Sequence, residues 1–303
     1  MPAQAPARFP RIALVGRPGG PDASGALSRL ARMIEGRGHT VVIEGDTAQS
    51  SPLPGYDVLE AGRFAGRVDL AIVLGGDGTM LSIARRLAPA DVPLIGINLG
   101  RLGFLTDIPV ARMEPVVAAM LDGRYVEDPR TMIAAHVERA AGGRDEALGL
   151  NDVVVNRGAS GSLIEFAIDI DGRFVFAMRA DGVIVATPTG STAYALSAGG
   201  PIVAPEVPAF ALVPVAPHAL THRPIAIPDT ATIAITVQHG NDASVHCDGQ
   251  AHFELAEGDR VVLRRAPHRA RFLHPDDHDY FAMLREKLHW SETPERLARR
   301  QSS

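Results

Sequence analysis

The sequence predicts an α/β N-terminal domain, Rossmann-like with a mostly parallel sheet, followed by an all-β, β-sandwich-like C-terminal domain. Up to about residue 120, short apolar runs alternate with helical patterns, as they do in α/β domains. Further along, strand-like runs follow one another with few helical stripes. The chain has 303 residues, which suits about two domains of ~100–200 residues each.

Four apolar runs of the first half predict parallel strands that are covered on both faces, because they are rich in β-branched residues and do not alternate with polar ones. These runs are residues 11–16, 40–45, 70–75 and 93–98. Helical stripes lie between them. Leu27 and Ile34 belong to a stripe with the i, i+3, i+4, i+7 spacing, and similar stripes begin at Met80 and Met113.

The second half predicts antiparallel strands. An Asp-Gly pair between apolar runs in residues 168–176 is a strong hairpin signal, and residues 280–290 have a helical pattern. We expect four segments: a disordered N-terminus at 1–10, the α/β domain at 11–125, a β-rich domain at 126–275, and a C-terminal segment at 276–303, helical and packed on the first domain.

Composition and charge exclude several classes of protein. Hydrophobic residues make up 46% of the chain, charged residues 21%, and the net charge is −5. We therefore expect neither a nucleic-acid nor a membrane partner. Cys247 is the single cysteine, and no stretch offers ~20 apolar residues, so we expect a soluble protein of the reducing cytoplasm.

Residues 75–79 read GGDGT and directly follow the third predicted strand. Gly75 and Gly76 leave backbone amides unshielded, and the helix that begins near Thr79 points its positive end to the same place, so we expect these three residues to bind phosphate. The chain contains neither GxxxxGK[ST] nor GxGxxG, which excludes a P-loop enzyme and an ordinary dinucleotide-binding dehydrogenase.

The carboxylate of Asp77 is unusual beside a phosphate site. It could hold Mg²⁺, or it could accept the proton of a hydroxyl that attacks the phosphate. The simpler alternative is that Asp77 caps the helix, for which Asp is a favoured residue.

Three later stretches carry polar residues that suit a ligand. Asn151 and Asp152 precede a strand and suit ribose hydroxyls, although they equally suit a turn. Residues 179–203 combine small, hydroxyl-bearing residues with the aromatic ring of Tyr194. This combination suits a binding site for a flat polar ligand, and it equally suits a long connection from a strand to a helix. Gln250 ends a strand in what composition alone reads as a hairpin turn.

The histidines, and His274 and His278 in particular, raise the question of a metal site. Neither lies in an HExxH context, so we expect no metal bound directly by the protein. No GxSxG sequence supports a hydrolase.

Together these segments resemble the bacterial NAD kinases. GGDGT alone is shared with lipid kinases and phosphofructokinases. The resemblance is carried by GINLGRLGFLTD, LND, DGVIVATPTGSTAYALSAGGPI, PHALTHRPI and LHPDDHDYFAMLREKLHW in this order, and it covers residues 11–290.

The resemblance implies transfer of a phosphoryl group from ATP, or in some members polyphosphate, to the 2′-hydroxyl of the adenosine ribose of NAD. It implies that Asp77 is the general base and that Asn151 and Asp152 hold the adenosine, with Asp152 standing where many relatives have Glu. The residues that it places in the NAD site are Asp77, Gly78, Asn151, Asp152, Ser162, Arg179, Asp181, Thr192, Ala193, Tyr194, Ala195, Leu196, Ser197 and Gln250.

The implied cofactor is Mg²⁺ or another divalent cation carried with ATP, and the implied ligands are NAD, ATP and NADP(H). A homodimer or homotetramer is expected. Two alternatives stay open: a lipid or sugar kinase that shares the GGDGT loop, and a non-catalytic module that senses NAD(P). The sequence leaves open the choice of donor, activity on NADH, feedback by NADPH and the number of subunits.

Overall fold

The computed structural model describes residues 8–16, 23–100, 103–158, 163–219, 221–240 and 242–290. Over these residues the chain forms three β-sheets. The strands are numbered in chain order: β1 Arg11–Gly16, β2 Thr40–Glu44, β3 Asp57–Leu59, β4 Leu70–Gly75, β5 Leu94–Asn98, β6 Ile108–Pro109, β7 Tyr125–Arg130, β8 Ile133–Glu138, β9 Arg144–Gly149, β10 Asp152–Arg157, β11 Ile164–Ile170, β12 Arg173–Ala180, β13 Gly182–Ala186, β14 Ala209–Val215, β15 Ile225–Pro228, β16 Ile233–His239, β17 Ala243–Cys247, β18 Ala251–Leu255, β19 Arg260–Arg265 and β20 Ala270–Pro275. The helices are α1 Ala23–Gly36, α2 Gly45–Ser50, α3 Asp77–Leu87, α4 Met113–Leu121, α5 Tyr194–Ser197 and α6 Tyr280–Lys287.

The first sheet has the strand order β3-β2-β1-β4-β5-β20-β7, and β6 also pairs with β5. Its pairs are parallel except for β20 with β7. Both faces are covered: Leu27 and Val117 pack on one face, whereas Met80 and Ile83 pack on the other. This layered arrangement confirms the predicted α/β domain and explains why its strands are apolar throughout.

The second domain is a sandwich of two six-stranded antiparallel sheets, which confirms the second part of the predicted fold. Their strand orders are β15-β14-β13-β10-β17-β18 and β12-β11-β16-β19-β8-β9. Phe166 from one sheet and Phe210 from the other are fully buried in the shared core. The outer face of the first of these sheets carries α5, whose Ala195 packs against Val154 and Ile184.

Two strands at the junction belong to the first sheet. We expected the β-rich domain to span residues 126–275. The strands at the two ends of that range, β7 and β20, pair with each other in the sheet of the α/β domain instead. β20 reads ARFLHP, a mixed sequence that does not say which sheet the strand joins. Pro129 is accommodated because β7 pairs only with β20 and forms the edge of the sheet.

Residues near both chain ends lie against the α/β domain. Phe9, within the stretch expected to be disordered, is buried, and its carbonyl oxygen lies 2.8 Å from His39 Nδ1. An apolar ring next to the first strand is shielded from water, which orders the residues around it. Residues 1–7 and 291–303 lie outside the described residues. At the other end, α6 lines a small cavity together with residues of β6 and α4.

A search of the described residues finds no helix with the length and hydropathy to cross a membrane.

Candidate active site between two cavities

A cavity of about 480 Å³ lies at the carboxyl ends of β1 and β2, beside the start of α3. Its lining includes Glu44, Asp46, Gly76, Gly78, Thr79 and Arg86. The positive end of the α3 dipole and the amides of the glycines favour an anion here.

Gly75, which we expected to bind phosphate with Gly76 and Thr79, has a different position. It is buried at the end of β4 and does not line this cavity. A Cβ atom on Gly75 would lie 2.8 Å from the hydroxyl of Thr79, so the glycine allows the helix to start close against the strand.

A second cavity, of about 360 Å³, lies in the β domain. It is lined by Asn151, Asp152, Ala193, Tyr194, His246 and Asp248, among others. The ring of Tyr194 is half-exposed at the cavity, whereas Asp152 is buried. The structure thus brings together the two stretches whose sequence suited either a ligand or a turn.

Asp77 is the first residue of α3, and its carboxylate is held by the loop after β5. It accepts hydrogen bonds from the backbone N–H groups of Phe104 (2.8 Å) and Leu105 (3.0 Å) and from the hydroxyl of Thr106 (3.2 Å). The N-cap of α3 is Gly76, so the carboxylate of Asp77 does not serve as a helix cap. A Cβ on Gly103 would lie 1.9 Å from Asp77 Oδ1, which explains the glycine at that position.

Asp248 holds the backbone that carries Asn151 and Asp152. Its carboxylate accepts hydrogen bonds from the N–H groups of Leu150 (2.9 Å), Asn151 (2.7 Å) and Asp152 (3.1 Å). Two buried carboxylates therefore lie close together. Burial and, to a lesser extent, the negative charge of Asp248 raise the pKa of Asp152 to about 7.

Gln250 and Arg85 join the two domains between the cavities. Arg85 donates to the Cys247 carbonyl (3.0 Å) and to the side-chain oxygen of Gln250 (2.6 Å), and the amide of Gln250 donates to the carbonyl of Gly78 (2.9 Å). Gln250, which the resemblance assigns to the NAD site, thus has both ends of its amide bonded to α3.

We expect Gln250→Ala to lower the free energy of unfolding by about 1–3 kcal/mol, because two hydrogen bonds of about 0.5–1.5 kcal/mol each are lost. Urea unfolding measures this change. Gln238→Ala, in an exposed position of β16, is the matched control and should change stability by less than about 0.5 kcal/mol. Equal effects of the two substitutions would contradict the bridging role.

The remaining predicted residues are spread around the second cavity. The Thr192 hydroxyl donates to the Thr189 carbonyl (3.2 Å), Ala195 is buried, Leu196 is half-buried and Ser197 is exposed.

Two further predicted residues, Arg179 and Asp181, are not among the residues that line the second cavity. Asp181 accepts a hydrogen bond from the guanidinium of Arg157 (2.6 Å). Ser162, predicted to contact NAD, lies outside the described residues.

Several site residues were missed by sequence reasoning. Arg86 and Glu44 had no local signal, since they meet at 3.5 Å only where α3 packs beside the end of β2. Asp248 stands in a stretch that composition reads as a turn. Its φ of +52° and its adjacent glycine agree with a turn, and its carboxylate nevertheless organises the site.

The family models that match the chain cover most of its length. Residues 12–125 match the ATP-NAD kinase N-terminal domain, and residues 150–275 match the ATP-NAD kinase C-terminal domain.

Curated relatives and solved structures agree with this match. The chain is 50% identical to an NAD kinase of Nitrosospira multiformis over 94% of its own length and 97% of the relative's. It is 51% identical to an NAD kinase of Aromatoleum aromaticum, over 95% and 96%. Among solved structures, yeast NADH kinase complexed with NADH superposes with a TM-score of 0.87 at 25% identity, over 94% of this chain and 89% of that one. An NAD kinase from Archaeoglobus fulgidus in complex with ATP gives 0.72 at 27% identity, over 92% and 98%.

Proposed function

Because the chain belongs to the ATP-NAD kinase family, we propose that its two cavities hold the two substrates, ATP in the first and NAD in the second. The enzyme transfers the terminal phosphoryl group of ATP to the 2′-hydroxyl of the adenosine ribose of NAD and makes NADP. One observation carries the proposal: the start of α3 lies between the cavities. Gly78 lines the first cavity, and its carbonyl accepts a hydrogen bond from the side-chain amide of Gln250. Gln250 lies two residues after Asp248, which lines the second cavity.

The first cavity suits the phosphates of ATP. The glycine amides and the α3 dipole supply positive potential, and Arg86 adds a guanidinium. Arg86 lies 3.5 Å from Glu44 and 3.4 Å from Asp46, so carboxylates and a cation already share this space. These carboxylates fit a hydrated Mg²⁺, which would neutralise phosphate charge when bound with ATP.

The second cavity suits the adenosine half of NAD. The exposed ring of Tyr194 offers a face for stacking, and Asn151 and Asp152 offer an amide and a carboxyl group for the ribose hydroxyls. Arg179 and Asp181 lie outside this lining and serve the rest of the dinucleotide.

Asp77 is the residue we assign as general base. It takes the proton of the 2′-hydroxyl as the new O–P bond forms and the bond between the γ-phosphorus and ADP breaks. The three donors of the loop after β5 hold the carboxylate in one orientation, so that little reorganisation is needed during the reaction.

The purified protein is assayed with ATP, Mg²⁺ and one acceptor at a time: NAD, NADH, diacylglycerol, sphingosine or fructose 6-phosphate. The assay with NAD is then repeated with polyphosphate as the phosphoryl donor. NADP formation, read with an NADP-specific dehydrogenase, is the expected result. Phosphorylation of a lipid or sugar without phosphorylation of NAD would favour the alternative kinases. Binding of NADP without any turnover of NAD would favour a sensing module.

The raised pKa of Asp152 predicts a pH dependence of stability. Between pH 4 and its pKa of about 7, the folded state retains a proton that the unfolded chain releases, so this group's stabilising contribution falls as pH rises through that window. We expect the free energy of unfolding of Asp152→Asn to decline less between pH 5 and pH 8 than that of the wild type. Exposed Glu254→Gln is the control, and identical slopes in all three proteins would contradict the prediction.

We also propose that the chain assembles through β12. This strand forms the edge of its sheet, and Phe174 is 66% exposed on it. An uncovered strand with an apolar side chain is a template for pairing with a second copy. Light scattering after size exclusion should give a dimer or tetramer that Phe174→Lys weakens. A wild-type monomer at assay concentration would contradict this assembly.

A further inference from the structure

A cluster of three ligand-type side chains lies apart from both cavities. Asp107 immediately precedes β6, His274 belongs to β20, and His278 lies in the turn before α6. Their potential ligand atoms all lie within 4.8 Å of one another. Sequence reasoning, which considered His274 and His278 and expected no metal, could not see this cluster, because the carboxylate lies more than 160 residues before the histidines.

The two imidazoles converge on one oxygen atom. Asp107 Oδ2 lies 2.8 Å from His274 Nδ1 and 2.9 Å from His278 Nδ1, and the two rings stack with centroids 4.0 Å apart. The other carboxylate oxygen, Oδ1, is buried without a hydrogen-bond partner among the described residues. If hydrogen bonds alone held the cluster, using both oxygens of the Asp107 carboxylate would leave neither of them buried without a partner. Instead, Nδ1 of each ring lies next to the same oxygen, Oδ2.

We propose that Asp107, His274 and His278 form a binding site for a transition-metal dication such as Zn²⁺. Two imidazole nitrogens and one carboxylate oxygen form a donor set that Zn²⁺ accepts in tetrahedral sites, whereas Mg²⁺ and Ca²⁺ select oxygen ligands. Tetrahedral bonds of ~2.0–2.1 Å place the ligand atoms roughly 3.4 Å apart. The two nitrogen–oxygen separations of 2.8 and 2.9 Å therefore need to open by about half an ångström, and the ligand nitrogens of the two rings lie within 4.8 Å of each other.

The residues behind His274 have the arrangement that supports a metal ligand. His274 is 2% exposed, and its Nε2 lies 3.4 Å from the carboxylate of Asp128. Arg130 in turn bonds Asp128 at 2.6 Å. A carboxylate behind the second nitrogen of a ligating histidine fixes its tautomer and ring orientation, and such partners typically matter ~10–100-fold for metal affinity.

A fourth ligand has room to enter. A cavity of about 200 Å³ is lined by Asp107 and His278 and also by Asp277, Asp279 and Glu286. Water can complete the coordination from this side, and the acidic rim attracts a cation to the entrance.

The site links the C-terminal segment to the loop that holds the general base. Asp107 follows Thr106, whose hydroxyl bonds Asp77. A metal ion there would join β20 and the turn before α6 to this loop, so its role would be to order the loop rather than to contact substrate.

The experiment uses the tag-free full chain after treatment with a chelator. Calorimetric titration with Zn²⁺, with metal content measured after dialysis, should give one bound ion per chain and a raised Tm. Substitution with Co²⁺ should give the intense visible absorption of a tetrahedral site. His278→Gln is expected to lower Zn²⁺ affinity by at least about tenfold.

His239→Gln is the matched control, because His239 also pairs with a carboxylate, that of Glu257 at 3.3 Å, but is exposed on the surface. It should bind Zn²⁺ as the wild type does. Asp107→Asn tests the third ligand and should also lose affinity, and His278→Gln alone decides the matter if Asp107→Asn does not fold. Two results would overturn the proposal: no stoichiometric Zn²⁺ in the wild type, or equal affinity in the wild type and His278→Gln.

Discussion

Asp77→Asn is expected to lower kcat by at least about 100-fold, and up to ~10⁴-fold, while NAD binding changes little. The amide cannot accept the proton of the 2′-hydroxyl, which is too weak an acid to ionise at neutral pH without help. The substitution conserves shape, but Phe104 and Leu105 donate to different oxygens of the carboxylate, so the single oxygen of the amide keeps only one of these two hydrogen bonds. The steady-state rate of NADP formation measures kcat, and calorimetry measures the Kd for NAD.

A second pair of variants separates the chemical role of Asp77 from its positioning. Thr106→Val removes one donor to the carboxylate and leaves the two backbone donors, so we expect a much smaller fall in kcat. Asp122→Asn, on the exposed end of α4, controls for the loss of one negative charge. A kcat for Asp77→Asn within a few-fold of the wild type would remove Asp77 from the role of general base.

Gly190→Ala is expected to have the largest effect on the NAD site. A Cβ at this position would lie 1.9 Å from the carbonyl oxygen of Asn151 and 2.7 Å from its Cα, and both are backbone atoms. The two loops cannot separate freely, because the Thr187 N–H donates to the same carbonyl (2.9 Å) and the Thr187 hydroxyl to that of Leu150 (2.6 Å).

The expected result is a KM for NAD raised at least about tenfold and a free energy of unfolding lowered by about 1–3 kcal/mol or more, as for overpacked cores. Initial rates at varied NAD and urea unfolding measure the two quantities. Gly62→Ala is the matched control, because a Cβ there meets nothing within 4 Å. If both variants behaved like the wild type, the close approach of the two loops would not matter for the site.

Local sequence patterns predicted the parts of the molecule that depend on neighbouring residues. The strand before GGDGT and the helix after it follow from periodicity, whereas phosphate binding by Gly76 and Thr79 stays a prediction. The pattern could not decide whether Asp77 caps its helix, because that depends on where the loop at residues 103–106 passes. The structure decides it, since Phe104, Leu105 and Thr106 of that loop donate hydrogen bonds to the carboxylate.

Contacts between distant residues were not predictable in this way. Arg85 reaches the Cys247 carbonyl across 162 residues, and Asp107 reaches His274 across 167. Neither pair has a spacing that a helix or strand period could reveal. The same limit applies to β20, because nothing in the sequence ARFLHP identifies the sheet that the strand joins.

The position of β20 has a consequence for how the chain folds. β20 lies between β5 and β7, so the first sheet stays open at β5 until residues 270–275 have been synthesised. Until then β5 carries an unpaired edge apart from its short pairing with β6, and β7 has no partner in the sheet. Unpaired strand edges of this kind can pair with strands of other chains. Pairing of strands that are so far apart in the sequence is also slow. The sheet of the domain that begins the chain therefore needs a strand, β20, that follows every strand of the sandwich in sequence.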